Sequence, residues 1–111
     1  MNRKDAIEKR KEAKQIAETI LEQLGGKQFI AMTGAYNLAF EMDNSLHFKF
    51  KGSNKFNALK ITLNDSDLYD MTFFKIGRAP NFKITKHEIG GAYAEDLQPI
   101  FTSETGLFTH L

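Results

Sequence analysis

The sequence predicts an α+β fold: an antiparallel four- to five-stranded sheet covered on one face by a long N-terminal helix and a shorter C-terminal helix. Three observations predict it. Between residues 45 and 89, apolar and polar residues alternate, as in Leu46, Phe48 and Phe50 against His47, Lys49 and Lys51. A period of two gives a strand one apolar and one polar face. The links between these runs are short, so neighbouring strands are expected to be antiparallel. Two amphipathic segments, 3–24 and 92–105, flank the sheet and supply the cover for its apolar face.

The first helix is expected over 3–24. Asn2 stands as its N-cap, with Asp5 placed to answer it as in a capping box. Ala13, Ile16, Ala17, Ile20 and Leu24 recur at three- and four-residue spacing and form one apolar stripe. The stripe is dense only after Ala13, so the first two turns should project beyond the core. Gly25-Gly26 ends the helix. Phe29-Ile30-Ala31-Met32 then reads as a short first strand. Thr33-Gly34-Ala35 reads as the corner before a hairpin of 36–42 and 46–50, turned at Asp43-Asn44-Ser45.

A polar loop runs to about Asn57. Strands follow at 58–63, 69–76 and 82–88, with a strong turn signal at Asn64-Asp65-Ser66-Asp67. Gly90-Gly91 is expected to end the sheet. Tyr93, Leu97, Ile100 and Phe101 share one face of the last helix. Pro99 either sits in the first turn of a helix starting near Gln98 or kinks one opened by Glu95-Asp96. Gly106 is the expected C-cap, with Leu107 as its apolar contact. The predicted core is Ile16, Ile20, Leu24, Phe48, Phe50, Leu59, Ile61, Leu63, Met71, Phe73, Ile84, Leu97, Ile100 and Phe101.

At 111 residues, 41% apolar and with ten Phe, the chain reads as a single folded domain, 1–111. It contains no Cys, which excludes disulfides, thiolate zinc sites and a cysteine nucleophile. No apolar run approaches the ~18 residues of a membrane span. The start is charged from Arg3 onward without an apolar stretch, unlike a secretory signal. The expected setting is therefore cytoplasmic, away from membranes. The formal net charge of +1 favours no class of partner. The positive charge is uneven: it gathers in the first helix and on the polar face of the sheet, whereas acids gather at 64–70 and in the last helix.

The phrases LGGKQF (24–29), IAMTGAYN (30–37), KHEIGGAYAEDL (86–97) and IFTSETGLFT (100–109) occur in this order. In this the chain resembles small uncharacterised proteins of bacteriophages, prophages and conjugative elements that share MTGA-x-N and FT-x-x-TGL-x-T phrases. The resemblance implies a mobile-element setting and hands over no catalytic residues.

No sequence pattern marks an enzyme or a cofactor. His87-Glu88, with Tyr93 nearby, is the most catalytic-looking group, but HEIGG lacks the second His of HExxH, and adjacent strand residues point to opposite faces. His47, His87 and His110 have no metal-ligand spacing. Asn64–Asp67 lacks the glycine and distal Glu of a calcium loop and reads as an Asx turn. Thr33-Gly34-Ala35 matches no phosphate-binding motif.

Two binding readings remain. The first is a small accessory protein that binds another protein or itself, through Leu107, Phe108 and Leu111 or through the sheet face. These three apolar residues at a terminus ask for a burial site on the sheet or on an oligomer partner. The second is sequence-independent nucleic-acid binding through Lys49, Lys51, Lys60 and Lys83, helped by Arg3, Lys4, Arg10 and Lys14. Tyr36 and Phe74 would add stacking surface if they face outward. The near-neutral net charge favours the first reading.

Overall fold

A computed structural model describes residues 2–111. Its elements are α1 (Arg3–Leu24), α2 (Gly26–Thr33), β1 (Tyr36–Glu41), β2 (Ser45–Lys49), β3 (Ala58–Leu63), β4 (Tyr69–Ile76) and β5 (Ile84–Ala92). A 3-10 turn at Ala94–Asp96 then leads into α3 (Leu97–Thr105). The five strands form one antiparallel meander in chain order. The helices lie against one face of it, so the fold is the expected α+β arrangement. Among the described residues, no helix is long and apolar enough to cross a membrane.

α1 starts where the Asn2 side chain accepts a hydrogen bond from the Asp5 N–H, 2.9 Å. Its residues up to Glu12 are all exposed, and burial begins at Ala13 and continues through Ala17, Ile20 and Leu24. The first turns therefore project, as the thin apolar spacing predicts.

Residues 29–32 are not a strand. They belong to α2, whose buried positions Phe29 and Thr33 are four residues apart on one helical face. The Thr33 hydroxyl donates back to the Phe29 carbonyl at 2.7 Å. Gly34 ends the helix in the left-handed region at φ 66°, with its N–H on the Ile30 carbonyl. A four-residue apolar run is compatible with either period, and here packing against the sheet selects the helical one.

β5 also departs from expectation. It begins at Ile84, two residues late, and runs through Gly90-Gly91 to Ala92. Phe82 lies outside the strand at φ 45°. Gly91, at φ 72°, donates its N–H to Asp70 Oδ1 at 3.1 Å, beside the register shift between Tyr69 and Met71. Ile84 pairs with Ile76 and is 59% exposed, so it is not a core residue. The helix-facing positions of β5 are Thr85, His87 and Ile89, the opposite phase to the one expected. Lys83 likewise lies in the loop before β5 and not on the strand.

Tyr93 is 59% exposed and precedes the 3-10 turn, so it does not share the α3 face. α3 starts at Leu97, which puts Pro99 in its first turn, where no intrahelical N–H bond is lost. Gly106 caps it at φ 79°.

The layers meet at an aromatic cluster. Phe101 of α3 lies 5.0 Å from Phe29 of α2, 5.2 Å from Phe50 and 6.4 Å from Phe73, ring centre to ring centre. Phe29 also meets Phe48 edge-on at 5.5 Å. All these rings are buried. Phe101→Ala is expected to cost about 3–5 kcal/mol in urea unfolding, whereas Phe82→Ala, at a site 62% exposed, should change stability by less than about 0.5 kcal/mol.

Candidate functional site

Helices cover one face of the sheet; on the other, strand register sets rows of side chains, three of which cross most of the sheet, with the pair Ile76 and Ile84 beyond them. The first row is Tyr36, Lys49, Ala58, Phe74 and Lys86, one residue from each strand. The second is Ala39, His47, Lys60, Thr72 and Glu88. The third is Glu41, Ser45, Thr62 and Asp70. Lysines and aromatics thus occupy one end of the face and carboxylates the other.

Ala58 is the small residue in the first row. Its methyl group lies between Lys49 and Phe74, and the space its neighbours leave is a hollow of about 450 Å³. Phe74, Ile76 and Ile84 form its apolar wall, and Asn37, His47, Lys49 and Lys60 its rim. The wall exists because β4 carries apolar residues on both faces: Met71 and Phe73 inward, Phe74 and Ile76 outward. Ile84 joins it across the β4–β5 pair.

The rim lysines are not equivalent. Lys60 Nζ is 2.9 Å from both Glu41 Oε2 and Asp43 Oδ2. Its hydrogen bonds to Glu41 and then to Asp43 raise its pKa above the ordinary lysine value. Asp43 is held below the usual carboxylate range, first by the Ser45 hydroxyl and, against some desolvation, by Lys60. His47 Nε2 lies 3.6 Å from Glu41 Oε1. Lys51 follows β2 and reaches over the Tyr36 ring at 5.2 Å. Among the described residues, Lys49 and Lys83 have no carboxylate partner.

The other predicted site residues are dispersed. Arg10 stacks over Phe40 at 5.2 Å, and Lys14 lines a small hollow with Leu38 and Leu46, both on the helix side of the sheet. These two cations are therefore separated from Lys49 and Lys60 by the sheet. Arg3 and Lys4 lie in the exposed first turn of α1. His87 faces the helix layer, stacked on Phe56 and 3.7 Å from Glu104 of α3. Glu88 faces the other way, 3.4 Å from Lys86. The two do not form a joint site.

Asn64 Oδ1 accepts from the N–H groups of Ser66 and Leu68, an Asx turn. Among the described residues, no three His, Asp or Glu side chains gather as a potential metal site. At the C-terminus Leu107 packs against the core, while Phe108 is 68% and Leu111 98% exposed. Thr109, buried beside them, anchors this segment near Gly25.

No family model, curated protein or solved structure matches the chain.

The hollow itself escaped sequence reasoning. Its signal is the pair Phe74 and Ile76, apolar at the wrong phase of β4, next to a strand that opens with alanine. The Lys60 cluster generates a pH prediction. A depressed carboxyl pKa contributes stability above its unfolded value, 3.8 for Asp43, and this is lost as pH falls through the lower folded value. Asp43→Asn should therefore lower the unfolding free energy measured in urea at neutral pH, by less than about 1 kcal/mol because the pair is partly solvated. The difference from the parent protein should begin to narrow below about pH 4 and close once the pH is under the folded pKa.

Proposed function

We propose that this protein is a non-enzymatic binding module that engages another protein through the uncovered face of its sheet. An apolar side chain of the partner sits in the hollow, and a neighbouring carboxylate meets Lys49. The hollow carries this reading. Its apolar wall suits a Leu, Met or aromatic side chain, whereas a phosphate would gain nothing there. A contiguous apolar patch inside a polar rim is a feature of protein-interaction sites. The charge on Lys60 is already met by Glu41 and Asp43, which leaves few cations on this face for a phosphate chain. In the mobile-element setting implied by the resemblance, such a module acts as an accessory factor on a host or element-encoded protein. Phe108 and Leu111 offer it a separate apolar contact.

One observation favours a second reading, sequence-independent binding of single-stranded nucleic acid. Tyr36 and Phe74 both face outward in the row that holds Lys49 and Lys86. Aromatics interleaved with lysines suit base stacking beside phosphate neutralisation.

The test is retention of host proteins on the immobilised protein after nuclease digestion. Ile84→Asp, which charges the hollow without touching the core, should reduce retention at least about tenfold, the scale of a lost apolar anchor. Raising the salt should change it little. Single-stranded DNA bound at moderate salt, with log affinity falling by roughly 0.7 per neutralised phosphate per decade of salt and binding lost in Lys49→Glu, would sink the protein-partner reading in favour of the second.

A further inference from the structure

The meander leaves two strands at its edges, and they are built differently. β1 is interrupted by a register shift between Tyr36 and Ala39, with Asn37 in the left-handed region at φ 55°. A bulged edge is a poor template for another strand. β5 has a bulge too, at Gly90-Gly91 near its end, but ahead of it the register is unbroken for six residues, Ile84 to Ile89, and seven of the nine strand residues are exposed. Alternate residues of β5 direct their N–H and C=O groups away from β4, and among the described residues no strand lies beyond them.

We propose that β5 is a self-association edge: β5 of one copy pairs antiparallel with β5 of a second copy about a two-fold axis at His87. The side-chain pattern selects this occupant and this register. With the axis at His87, Lys86 of each copy lies opposite Glu88 of the other, and both ion pairs form on the uncovered face. Thr85 lies opposite Ile89 on the covered face, and Ile84 opposite Gly90. Moving the axis one residue either way sets Lys86 against itself or Glu88 against itself, and like charges directly opposite are unfavourable. Within one chain Lys86 and Glu88 make only a loose contact, 3.4 Å, with both side chains more than 60% exposed, so both are free to exchange partners.

A lysine in an edge strand ordinarily deters pairing with other chains. In β5 the self-paired register alone provides its counter-charge twice. The two-fold axis runs perpendicular to the sheets, so both helix layers stay on one side and both hollows on the other. The edge touches the hollow only at Ile84, and Lys86 and Glu88 do not line it, so the charge variants leave the hollow's lining unchanged.

The test is sedimentation equilibrium of the full chain and its variants up to about 1 mM. A concentration-dependent dimer is expected. Lys86→Glu should raise its dissociation constant by about tenfold or more, because two attractive cross-strand pairs become repulsive. Lys86→Glu combined with Glu88→Lys should restore it. The chain has no cysteine of its own, so His87→Cys provides a clean second readout. Residues paired across the axis lie within disulfide reach, and oxidation should link two chains. A monomer at every concentration overturns the proposal. So does a dimer indifferent to both charge variants, or one that His87→Cys fails to cross-link while circular dichroism shows the fold intact.

Discussion

Phe101 meets Phe29, Phe50 and Phe73 in one buried cluster, and on that contact the two layers of this protein depend. Edge-to-face rings add electrostatic preference to buried area, so they set the distance and tilt of α2 and α3 over the sheet as well as stabilising it. The cluster draws on residues from opposite ends of the chain, and it lies on one face only. Every helix is committed to that face. The opposite face must then be solvated, and its side chains are free to serve something other than the core.

That uncovered face is only partly what solvation requires. Lysines and carboxylates keep it wet, and Lys60 ties two of the carboxylates together across β1, the hairpin turn and β3. Phe74, Ile76 and Ile84 break the pattern. A single exposed apolar side chain needs no explanation, but a contiguous group around a hollow does. The same contrast divides the edges. The bulge of β1 falls near its start and leaves only a short regular stretch, whereas that of β5 falls near its end and leaves Ile84 to Ile89 regular, with opposite charges placed symmetrically about His87.

The fold was largely legible because its signals are local. The stripe from Ala13 to Leu24 and the alternation around Phe48, Ile61 and Phe73 each report which way side chains point, and the structure agrees. The short turns report antiparallel neighbours. The site was less legible. The candidate lysines were visible, but their roles were not. Lys60 is neutralised by Glu41, 19 residues away in the chain, and Arg10 and Lys14 lie on the wrong side of the sheet to join Lys49.

The sequence by itself therefore determined the fold class, the helix of 3–24, the antiparallel meander and most of the core. Periods of 2 and 3.6 residues are properties of the local backbone. Tertiary structure alone decided that 26–33 is a helix, that β5 runs in the phase that exposes Ile84, and that Ala58 opens a hollow beside Phe74. Each of these turns on which residue lies opposite in a neighbouring strand or layer. Pairing across a sheet is settled by packing and register, which no short stretch of chain contains.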